Sequence, residues 1–414
     1  MRNRQYRLGL VLALVAAALM AVALAACGSS GSSSSSSAST TGPITIGEMN
    51  SLTGDSAAPA KTLQQGFELE VGIINAAGGV NGRQIKVITL DDKSDVTSAV
   101  QDTTQLIQQD KVSAIIGPFP DTSEVAARSI AEKAGVPMML YAPPNLADLA
   151  NKSYKWSFLC TAGPDALANA FLKAAQDKGW KSVVAIGDVI PIHQETLKLL
   201  KTEAPAAGIK LTVLNDSWQL SATDLSPIIT KIAAADRADK PDGLFLLSNP
   251  IHVPVLQKGL KALGITTPEI GSPAGTSPAI FLQGPAAVEG FQALGAGITN
   301  PAQLPADYPG KAAMESFAAA YTAKYKQPPD FYAGFGYDAL NLVVNAMKKA
   351  GGDDKAKVRD ALESTTNWAG CQGVFSYTST DHVGIHGGLN LWQVKGGQFN
   401  LITTLNPSGL VALK

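Results

Sequence analysis

The sequence is poor in cysteine, in histidine and in net charge of either sign. Its 414 residues include three Cys and four His, and no Cys-x-x-Cys spacing occurs, so little material is present for a structural metal site. With 33 basic and 34 acidic residues, the chain has no positive surplus with which to neutralise the phosphates of a nucleic acid. These shortages argue against a metalloprotein and against a nucleic-acid partner, and we expect no cofactor.

The chain is nevertheless rich in the material of a large folded core. Hydrophobic residues make up 45% of it and charged residues only 16%, a balance that argues against disorder over most of the length. At roughly 100–200 residues per domain, the length predicts two or three domains.

The first 42 residues are predicted to lie outside the fold. Three Arg precede an apolar stretch from Leu8 to Leu24, as in a secretory signal peptide. The segment Leu24-Ala25-Ala26-Cys27 resembles the bacterial lipobox, which implies cleavage before Cys27 and attachment of a diacylglycerol to its thiol. An uncleaved signal anchor with an incidental Cys27 is the alternative. Residues 28–42 consist of Gly, Ser, Ala and Thr, and predict a flexible tether.

From Ile44 onward, short β-branched strands alternate with helices of amphipathic spacing. Predicted strands span Ile44–Gly47, Ile85–Leu90, Val112–Ile116, Pro137–Leu140, Ser182–Ile186, Lys210–Leu214 and Gly243–Leu247, and predicted helices span Thr62–Ala76, Val96–Gln109, Thr122–Ala134, Ala166–Lys178, Gln194–Ala206, Leu225–Ala235, Val253–Leu263, Ala312–Lys326, Tyr337–Ala350 and Asp354–Ser364. This alternation implies right-handed βαβ crossovers and parallel sheets covered on both faces. A break near Trp156–Gly163 separates two series, which predicts two α/β lobes, and residues 284–309 are predicted to be irregular.

Four segments, taken in order, resemble one family. They are INAAGGVNGRQIKVITLDD at 74–92, AIIGP at 114–118, AEKAGVP at 131–137 and FYAGFGYDALNLVVNAMKKAG at 331–351. Together they are similar to segments of the Leu/Ile/Val-type substrate-binding proteins of ABC importers, and the resemblance extends over residues 44–414. It implies a bilobal periplasmic-binding-protein type I fold, with two doubly wound parallel-sheet lobes that are joined by hinge crossovers and close on a small solute.

The resemblance also implies a division of the chain. We place a lipoprotein signal peptide at 1–26, a lipid-anchored linker at 27–42, lobe 1 at 43–160 plus 294–387, and lobe 2 at 161–293 plus 388–414. The expected protein is an extracytoplasmic monomer, anchored to the cell membrane by its lipid, that delivers a small molecule to ABC permease and ATPase subunits. A tethered sensor that presents its solute to a signalling receptor is the alternative.

An exported hydrolase is a lesser alternative, and we expect no enzyme activity. The sequence has no Gly-x-Ser-x-Gly elbow, and its four His are not set in a recognisable catalytic motif. His382 and His386 fall in a glycine-rich turn, which predicts a solvated loop.

The solute is expected beyond the carboxyl ends of the strands, where the loops of an open α/β sheet meet helix N-termini. The ligand-binding candidates in these loops are Thr53, Asp121, Thr122, Ser123, Tyr141, Asn145, His193, Asn249 and Ser272. Two of them also have a structural alternative: Asp121 with Glu124 fits a helix capping box, and a lone loop His such as His193 is often a surface residue.

These loops depart from those of the family members that bind amino acids. Asp121 stands where such members commonly offer a Ser, and the segment from Tyr141 to Asn145 is mostly apolar instead of rich in hydroxyls. Asn249 stands where an aromatic is expected, and Ser272-Pro273-Ala274 where the acid that binds the ammonium is expected. Since an unpaired buried ammonium is costly, we expect a compact solute of apolar, aromatic, hydroxyl or amide character instead of an ordinary branched-chain amino acid.

Two pairs of residues are left with structural predictions. The adjacent Asp91 and Asp92 point to opposite faces of extended chain and are expected to cap a loop instead of binding metal. Cys160 and Cys371 either form a disulfide, which an exported location permits, or remain two buried free thiols.

Overall fold

A computed structural model describes residues 42–119, 121–141, 154–385 and 387–405, including the side chains of all but Asp121 and Thr122. Two β-sheets with helices packed against them make up most of this part of the chain. Within these ranges, none of the helices combines the length and the apolar character needed to cross a lipid bilayer.

The first sheet has five parallel strands in the spatial order β2-β1-β3-β4-β5. The strands are β1 (Ile44–Asn50), β2 (Ile85–Asp91), β3 (Ala114–Ile116), β4 (Met138–Leu140) and β5 (Ser157–Leu159). The first four strands are connected by the helices α1 (Ala57–Ala76), α2 (Val96–Gln108) and α3 (Asp121–Ala134). Because neighbouring strands are parallel, all five carboxyl ends lie at one edge of this sheet.

The second sheet has the spatial order β14-β13-β10-β9-β8-β6-β7. Its strands are β6 (Ser182–Gly187), β7 (Lys210–Val213), β8 (Gly243–Leu247), β9 (Glu269–Gly271), β10 (Gln292–Gly295), β13 (Asn390–Lys395) and β14 (Gln398–Thr404), with the helices α4 (Pro164–Asp177), α5 (Pro191–Glu203), α6 (Ser226–Asp239) and α7 (Val253–Ala262). The strands β6 to β10 are parallel to their neighbours in this set, whereas β13 runs antiparallel to both β10 and β14.

The expected parallel sheet is therefore confirmed for β6 to β10, and the antiparallel strands β13 and β14 extend it at one edge. Only Gly396 and Gly397 separate β13 from β14, and both have positive φ, at 62° and 74°. A two-residue loop of this kind makes a tight hairpin, which can join only antiparallel strands.

The helices α8 (Lys311–Tyr325), α9 (Phe331–Ala350) and α10 (Lys355–Glu363) return to the first sheet, where α9 packs along α1. A two-stranded ribbon, β11 (Trp368–Ala369) and β12 (Val374–Phe375), follows them. Short 3₁₀ helices lie at Pro250–His252, Pro273–Thr276, Pro278–Gln283, Pro285–Val288, Gly297–Thr299 and Pro301–Gln303. The chain thus passes between the two sheets three times: after β5, after β10 and before β13.

Two glycines allow α1 and α9 to pack with their backbones in contact. A Cβ atom on Gly66 of α1 would lie 2.1 Å from the carbonyl oxygen of Ala333, and one on Gly336 of α9 would lie 2.3 Å from that of Leu63. Both distances are far below van der Waals contact, so only glycine fits at these positions. Most side chains of α9 are buried, so its apolar residues belong to the core.

Most predicted helices and strands are confirmed to within a few residues. The predicted break near 156–163 is wrong in part, because β5 lies within it, and the irregular region 284–309 contains β10. Helix α9 begins six residues earlier than predicted, at Phe331, because the Asp330 carboxylate accepts a hydrogen bond from the Ala333 N–H at 2.9 Å.

His382 lies in the segment that leads back to the second sheet, and its ring is buried. The ring stacks on Phe158 of β5 with the two centroids 4.0 Å apart, and its Nδ1–H donates to the carbonyl oxygen of Ser157 at 2.9 Å. Burial lowers the pKa of His382 below the usual value. The prediction of a solvated loop is therefore wrong for His382, while His386 lies outside the described residues.

Cys160 and Cys371 are both buried free thiols, so the disulfide alternative is wrong. The Cys160 Sγ–H donates to the carbonyl oxygen of Leu140 at 3.1 Å, whereas the backbone N–H of Cys371 donates to the Asp338 carboxylate at 2.7 Å. Cys160 is thus hydrogen-bonded to β4, and Cys371 to α9. Burial raises the pKa of both thiols well above the usual value, which disfavours the reactive thiolate.

Candidate functional site

A cavity of about 190 Å³ lies beside the carboxyl ends of the parallel strands of both sheets. The first sheet contributes the residues that follow β1, β3, β4 and β5, and the second contributes those that follow β6, β8 and β9. The start of α9 also lines the cavity, as do Leu167, Leu220 and Leu389. Parallel strands bring these loops together, which explains why residues far apart in the chain share one cavity.

The wall on the side of the first sheet is aromatic. Phe119 follows β3, Tyr141 follows β4, and Phe331, Tyr332 and Phe335 lie in the first turns of α9. The rings of Tyr141 and Phe335 stack with centroids 6.1 Å apart, and those of Phe331 and Phe335 are 4.5 Å apart. The i, i+4 spacing of Phe331 and Phe335 places both on one face of the helix, so the wall is fixed by packed rings.

The wall on the side of the second sheet is aliphatic except for two polar residues. Ile190, Ile192 and Ile251 line it together with Asn249 and His193. The Asn249 side chain accepts a hydrogen bond from the Ile251 N–H at 3.2 Å, which caps the 3₁₀ helix after β8. Its side-chain amide N–H groups form no hydrogen bond with a described residue and are open to a solute.

His193 is held by a buried carboxylate. Its Nδ1–H donates to Asp188 Oδ1 at 2.6 Å, and the exposed fractions of the two side chains are 5% and 0%. Asp188 also accepts hydrogen bonds from the N–H groups of Ile190, at 3.1 Å, and Asn249, at 2.7 Å. The alternative that His193 is an exposed loop residue is therefore wrong, because it is buried in the first turn of α5. Its Nε2 has no hydrogen-bond partner among the described residues.

Tyr141 carries a buried hydroxyl next to the cavity. Its Oη has no hydrogen-bond partner among the described residues, and burial raises the pKa of Tyr141 well above the usual value, so the hydroxyl stays neutral. The backbone N–H of Tyr141 donates to Glu124 Oε1 at 2.8 Å. Glu124, considered above as part of a capping box, thus binds the residue that follows β4.

Glu48 of β1 is a buried carboxyl beneath this aromatic wall. Its Oε2 accepts a hydrogen bond from Thr89 Oγ1 at 2.7 Å, while Oε1 has no partner among the described residues. Desolvation raises the pKa of Glu48 to about 8. The carboxyl is therefore mostly protonated at pH 7 and places little negative charge near Tyr141.

Three other candidates do not line the cavity. Thr53 is exposed, and its Oγ1 donates to Asp91 Oδ2 at 2.7 Å. Ser123 is buried in α3, and Ser272 is buried after β9, where its Oγ donates to the carbonyl oxygen of Ser248 at 3.3 Å. The structure therefore assigns Thr53 and Ser272 hydrogen bonds within the protein.

The expected loop-capping role of the adjacent acids is confirmed. Asp91 accepts hydrogen bonds from Thr53 and from the Lys93 N–H, and these contacts hold its pKa below the usual value despite partial burial. Asp92 accepts from the Ser51 hydroxyl and from the Ser94 N–H, while burial raises the pKa of Asp92 to about 6. In the described part of the chain, no group of His, Cys, Asp and Glu is arranged to hold a metal ion.

The remaining candidates lie wholly or partly outside the described residues. Asn145 and Cys27 are outside them, and of Asp121 and Thr122 only the backbone, in the first turn of α3, is described. Tyr141, His193 and Asn249 are thus the sequence candidates that the structure brings together at the cavity.

Sequence reasoning missed most of the aromatic wall and the partner of His193. The signal for the wall was present in Phe331-Tyr332 and Phe335, but apolar helical spacing predicts core equally well. Phe119 follows a Gly-Pro turn and carries no signal of its own. Asp188 lies five residues before His193, and this spacing indicates a contact only once a helix is known to begin at Pro191.

The arrangement suits the enclosure of a small, mostly apolar molecule with few polar groups. His193 and Asp188 form the pair that would activate a nucleophile, but no hydroxyl or thiol of the described residues is hydrogen-bonded to His193 Nε2. The geometry supports binding.

Comparisons with known proteins agree on a single group. Residues 43–398 match the family described as periplasmic binding protein. An amino acid binding protein of Pseudomonas aeruginosa is 26% identical to this chain, and the match covers 78% of this chain and 82% of that protein. A leucine-, isoleucine-, valine-, threonine- and alanine-binding protein of the same organism is also 26% identical, over 78% of this chain and 83% of that protein.

Solved structures share the fold. The crystal structure of an extracellular ligand-binding receptor from Rhodopseudomonas palustris HaA2 superposes with a TM-score of 0.75 at 25% identity. That superposition covers 87% of this chain and 99% of the receptor.

Proposed function

The chain belongs to the periplasmic binding protein family, and from this premise we propose that it is a lipid-anchored, extracytoplasmic solute-binding protein that supplies an ABC importer. Its resemblance to the Leu/Ile/Val-type members and its type I two-lobed fold are confirmed. The proposal rests on the cavity between the two sheets. Both sheets line this cavity with the loops that follow their parallel strands.

The proposed lobes are residues 43–160 plus 294–387 and residues 161–293 plus 388–414. Three connections join two such lobes, so that a solute bound to one wall of the cavity can draw the other wall onto it by a hinge motion. The closed form would be the one that the membrane subunits of the importer recognise.

The proposed solute is a compact, partly apolar molecule that need not be an amino acid. Asp55 is the only carboxylate among the described lining residues, and it is exposed. Asp188 lies behind His193, and its oxygens already accept three hydrogen bonds. An α-ammonium would therefore lack a buried partner among these residues, at a high desolvation cost. Among the candidates, we propose that the solute contacts Tyr141, His193 and Asn249. A ligand-binding role stays a prediction for the other candidates, which are Thr53, Asp121, Thr122, Ser123, Asn145 and Ser272.

The proposed anchor is a diacylglycerol on Cys27, followed by the flexible tether. Substitution of Cys27 by Ala should release the protein from the membrane fraction or leave it uncleaved, whereas the lipid should be detectable on Cys27 of the native chain by mass spectrometry. A native chain that is soluble and begins elsewhere would contradict the anchor and leave the binding function untouched.

A panel of small solutes tests binding and closure together. A solute at a hundredfold its dissociation constant should stabilise the protein by about 2.7 kcal/mol in thermal unfolding, and it should reduce the radius of gyration in solution scattering. Ala274→Trp, which fills the cavity wall, should abolish both effects, while Ala302→Trp at an exposed site should leave them unchanged.

Three outcomes would change the proposal. Turnover of a bound solute would revive the hydrolase alternative. Binding with closure but without import by any permease, together with recruitment of a signalling receptor, would favour the sensor. Failure of every solute class to stabilise the protein would contradict the binding function itself.

A further inference from the structure

We propose that the solute is a compact aromatic carboxylic acid whose ring lies against the aromatic wall and whose carboxylate is bound by His193. This inference rests on the proposed solute-binding function and names the chemical class that the site would accept. Three features of the cavity carry it: its size, its aromatic wall and the polar group at its opposite side.

The size of the cavity fits one six-membered ring with a small substituent. Its volume is about 190 Å³. An apolar protein cavity of about 150 Å³ is known to bind benzene, so the additional space suffices for a carboxylate or a hydroxyl group.

The aromatic wall offers edges and faces to such a ring. Phe119 lies edge-on to Tyr332, with centroids 5.9 Å apart and planes at 71°, and Phe331 lies at 4.5 Å from Phe335. Phe331, Tyr332 and Phe335 are each at most 9% exposed, so the wall is formed before any solute arrives. A planar ring gains stacking energy from a wall of this kind that a saturated ring of similar size does not.

The second-sheet side of the cavity offers a single group able to bind an anion. His193 is 4% exposed, its Nδ1–H is committed to Asp188, and Nε2 is the ring nitrogen left for a solute. A solute carboxylate that binds at Nε2 together with a proton from solvent would complete an arrangement in which the imidazole donates to one carboxylate on each side. No Lys or Arg is present among the described lining residues, so the proposed cation is a His193 ring that takes up a proton when the anion binds.

The helix that carries His193 adds a second donor. Helix α5 begins with Pro191, which has no N–H, and the N–H of Ile192 has no hydrogen-bond partner among the described residues. Free N–H groups and the helix dipole favour negative charge at this end. An anion next to His193 is therefore favoured by side chain and backbone together, while a cation is disfavoured.

Isothermal titration with four matched solutes tests the proposal. Benzoate is the probe, benzamide removes its charge, cyclohexanecarboxylate removes its aromaticity, and leucine supplies an amino acid of similar size. We expect benzoate to bind about 10- to 100-fold more tightly than benzamide, from the charge-assisted hydrogen bond, and at least about threefold more tightly than cyclohexanecarboxylate, from stacking.

Variants assign the preference to His193. His193→Gln keeps a polar side chain of similar length but no cation, and it should weaken benzoate about tenfold or more while changing benzamide less than about threefold. Lys198→Gln removes a cation from the exposed side of the same helix and should leave both affinities unchanged. Thermal unfolding without solute verifies that each variant is folded.

The outcomes separate this inference from the proposed function. Leucine binding more tightly than benzoate, or benzoate binding that is unaffected by His193→Gln, would overturn the aromatic-acid proposal and leave solute binding standing. If none of the four solutes binds but another solute closes the protein, the aromatic-acid proposal is likewise overturned. If nothing binds at all, the proposed function fails with it.

Discussion

Replacement of Glu48 by Gln should make the stability of the protein less sensitive to a rise in pH between about 5 and 8. The carboxyl lies on β1, an interior strand of the first sheet, fully buried, with one hydrogen bond from Thr89. Burial raises its pKa from 4.5 to about 8. Between these two values the folded protein keeps the proton and the unfolded chain releases it, so folding takes up a proton and stability falls as the pH rises.

The magnitude follows from the same two pKa values. Each pKa unit corresponds to about 1.36 kcal/mol, so a rise from pH 4.5 to pH 7 costs wild type at most about 3 kcal/mol at this residue. Gln has nearly the same shape and does not titrate. The difference in unfolding free energy between Glu48→Gln and wild type should therefore increase by about 1–3 kcal/mol in favour of the variant between pH 5 and pH 7.

Urea denaturation at pH 5, 6, 7 and 8 measures this difference directly. The buried amide of the variant adds a difference in unfolding free energy that is the same at every pH. This constant difference does not affect the test, because the test uses only the change of the difference with pH. Glu315→Gln is the matched control, since Glu315 is exposed on α8 and is not among the groups whose charge acts on Glu48, so its loss should leave the pH dependence unchanged. Parallel pH profiles for Glu48→Gln and wild type would refute the assignment of a protonated, buried carboxyl.

Three further predictions concern other parts of the fold. Gly66→Ala should destabilise the protein in thermal unfolding because its Cβ would meet the Ala333 backbone at 2.1 Å. Gly72→Ala on the same helix, where a Cβ would have nothing within 4 Å, should be neutral or stabilise the protein by up to about 1 kcal/mol, and equal effects of the two substitutions would contradict the helix packing. Cys160 and Cys371 should both be protected from a thiol reagent in the native protein and should both react with it in denaturant without prior reduction. If neither reacts in denaturant, the two cysteines form a disulfide instead. His252 is buried, accepts the Trp218 Nε1–H at 3.1 Å, and has its pKa lowered by burial, so its contribution to stability is present above about pH 6.5 and is lost as the pH falls below that value. Denaturation followed by tryptophan fluorescence should therefore show a smaller loss between pH 7 and pH 5 for His252→Gln than for wild type, and identical losses would contradict this account.

The sequence predicted the repeating strands and helices well because their patterns are local. Gly243–Leu247 is an unbroken apolar run, and its predicted bounds match the strand in the structure. Short length is one cause of failure: the strands β5 and β9 have three residues each, and they exist because neighbouring strands supply their hydrogen bonds. The hairpin of β13 and β14 does have a local signal, the dipeptide Gly396-Gly397, which favours a two-residue turn between antiparallel strands.

The site was less predictable than the fold for a related reason. Loops after parallel strands could be identified, and Tyr141, His193 and Asn249 were found in this way. Whether a loop side chain points into the cavity depends on contacts that the sequence does not display. Thr53 is turned toward Asp91 and away from the cavity, whereas His193 is held by Asp188 and lines the cavity, although both were ligand candidates.

The hairpin at the edge of the second sheet has a genetic consequence. A premature stop codon before Asn390 would remove both of its strands and leave the chain with most of its elements intact. The exposed side of β10 would then present unpaired N–H and C=O groups, and the pocket filled by the fully buried Trp392 would be empty. Because an uncovered sheet edge recruits other strands, such a truncated product should aggregate during export, so that even a late nonsense mutation would act as a null allele.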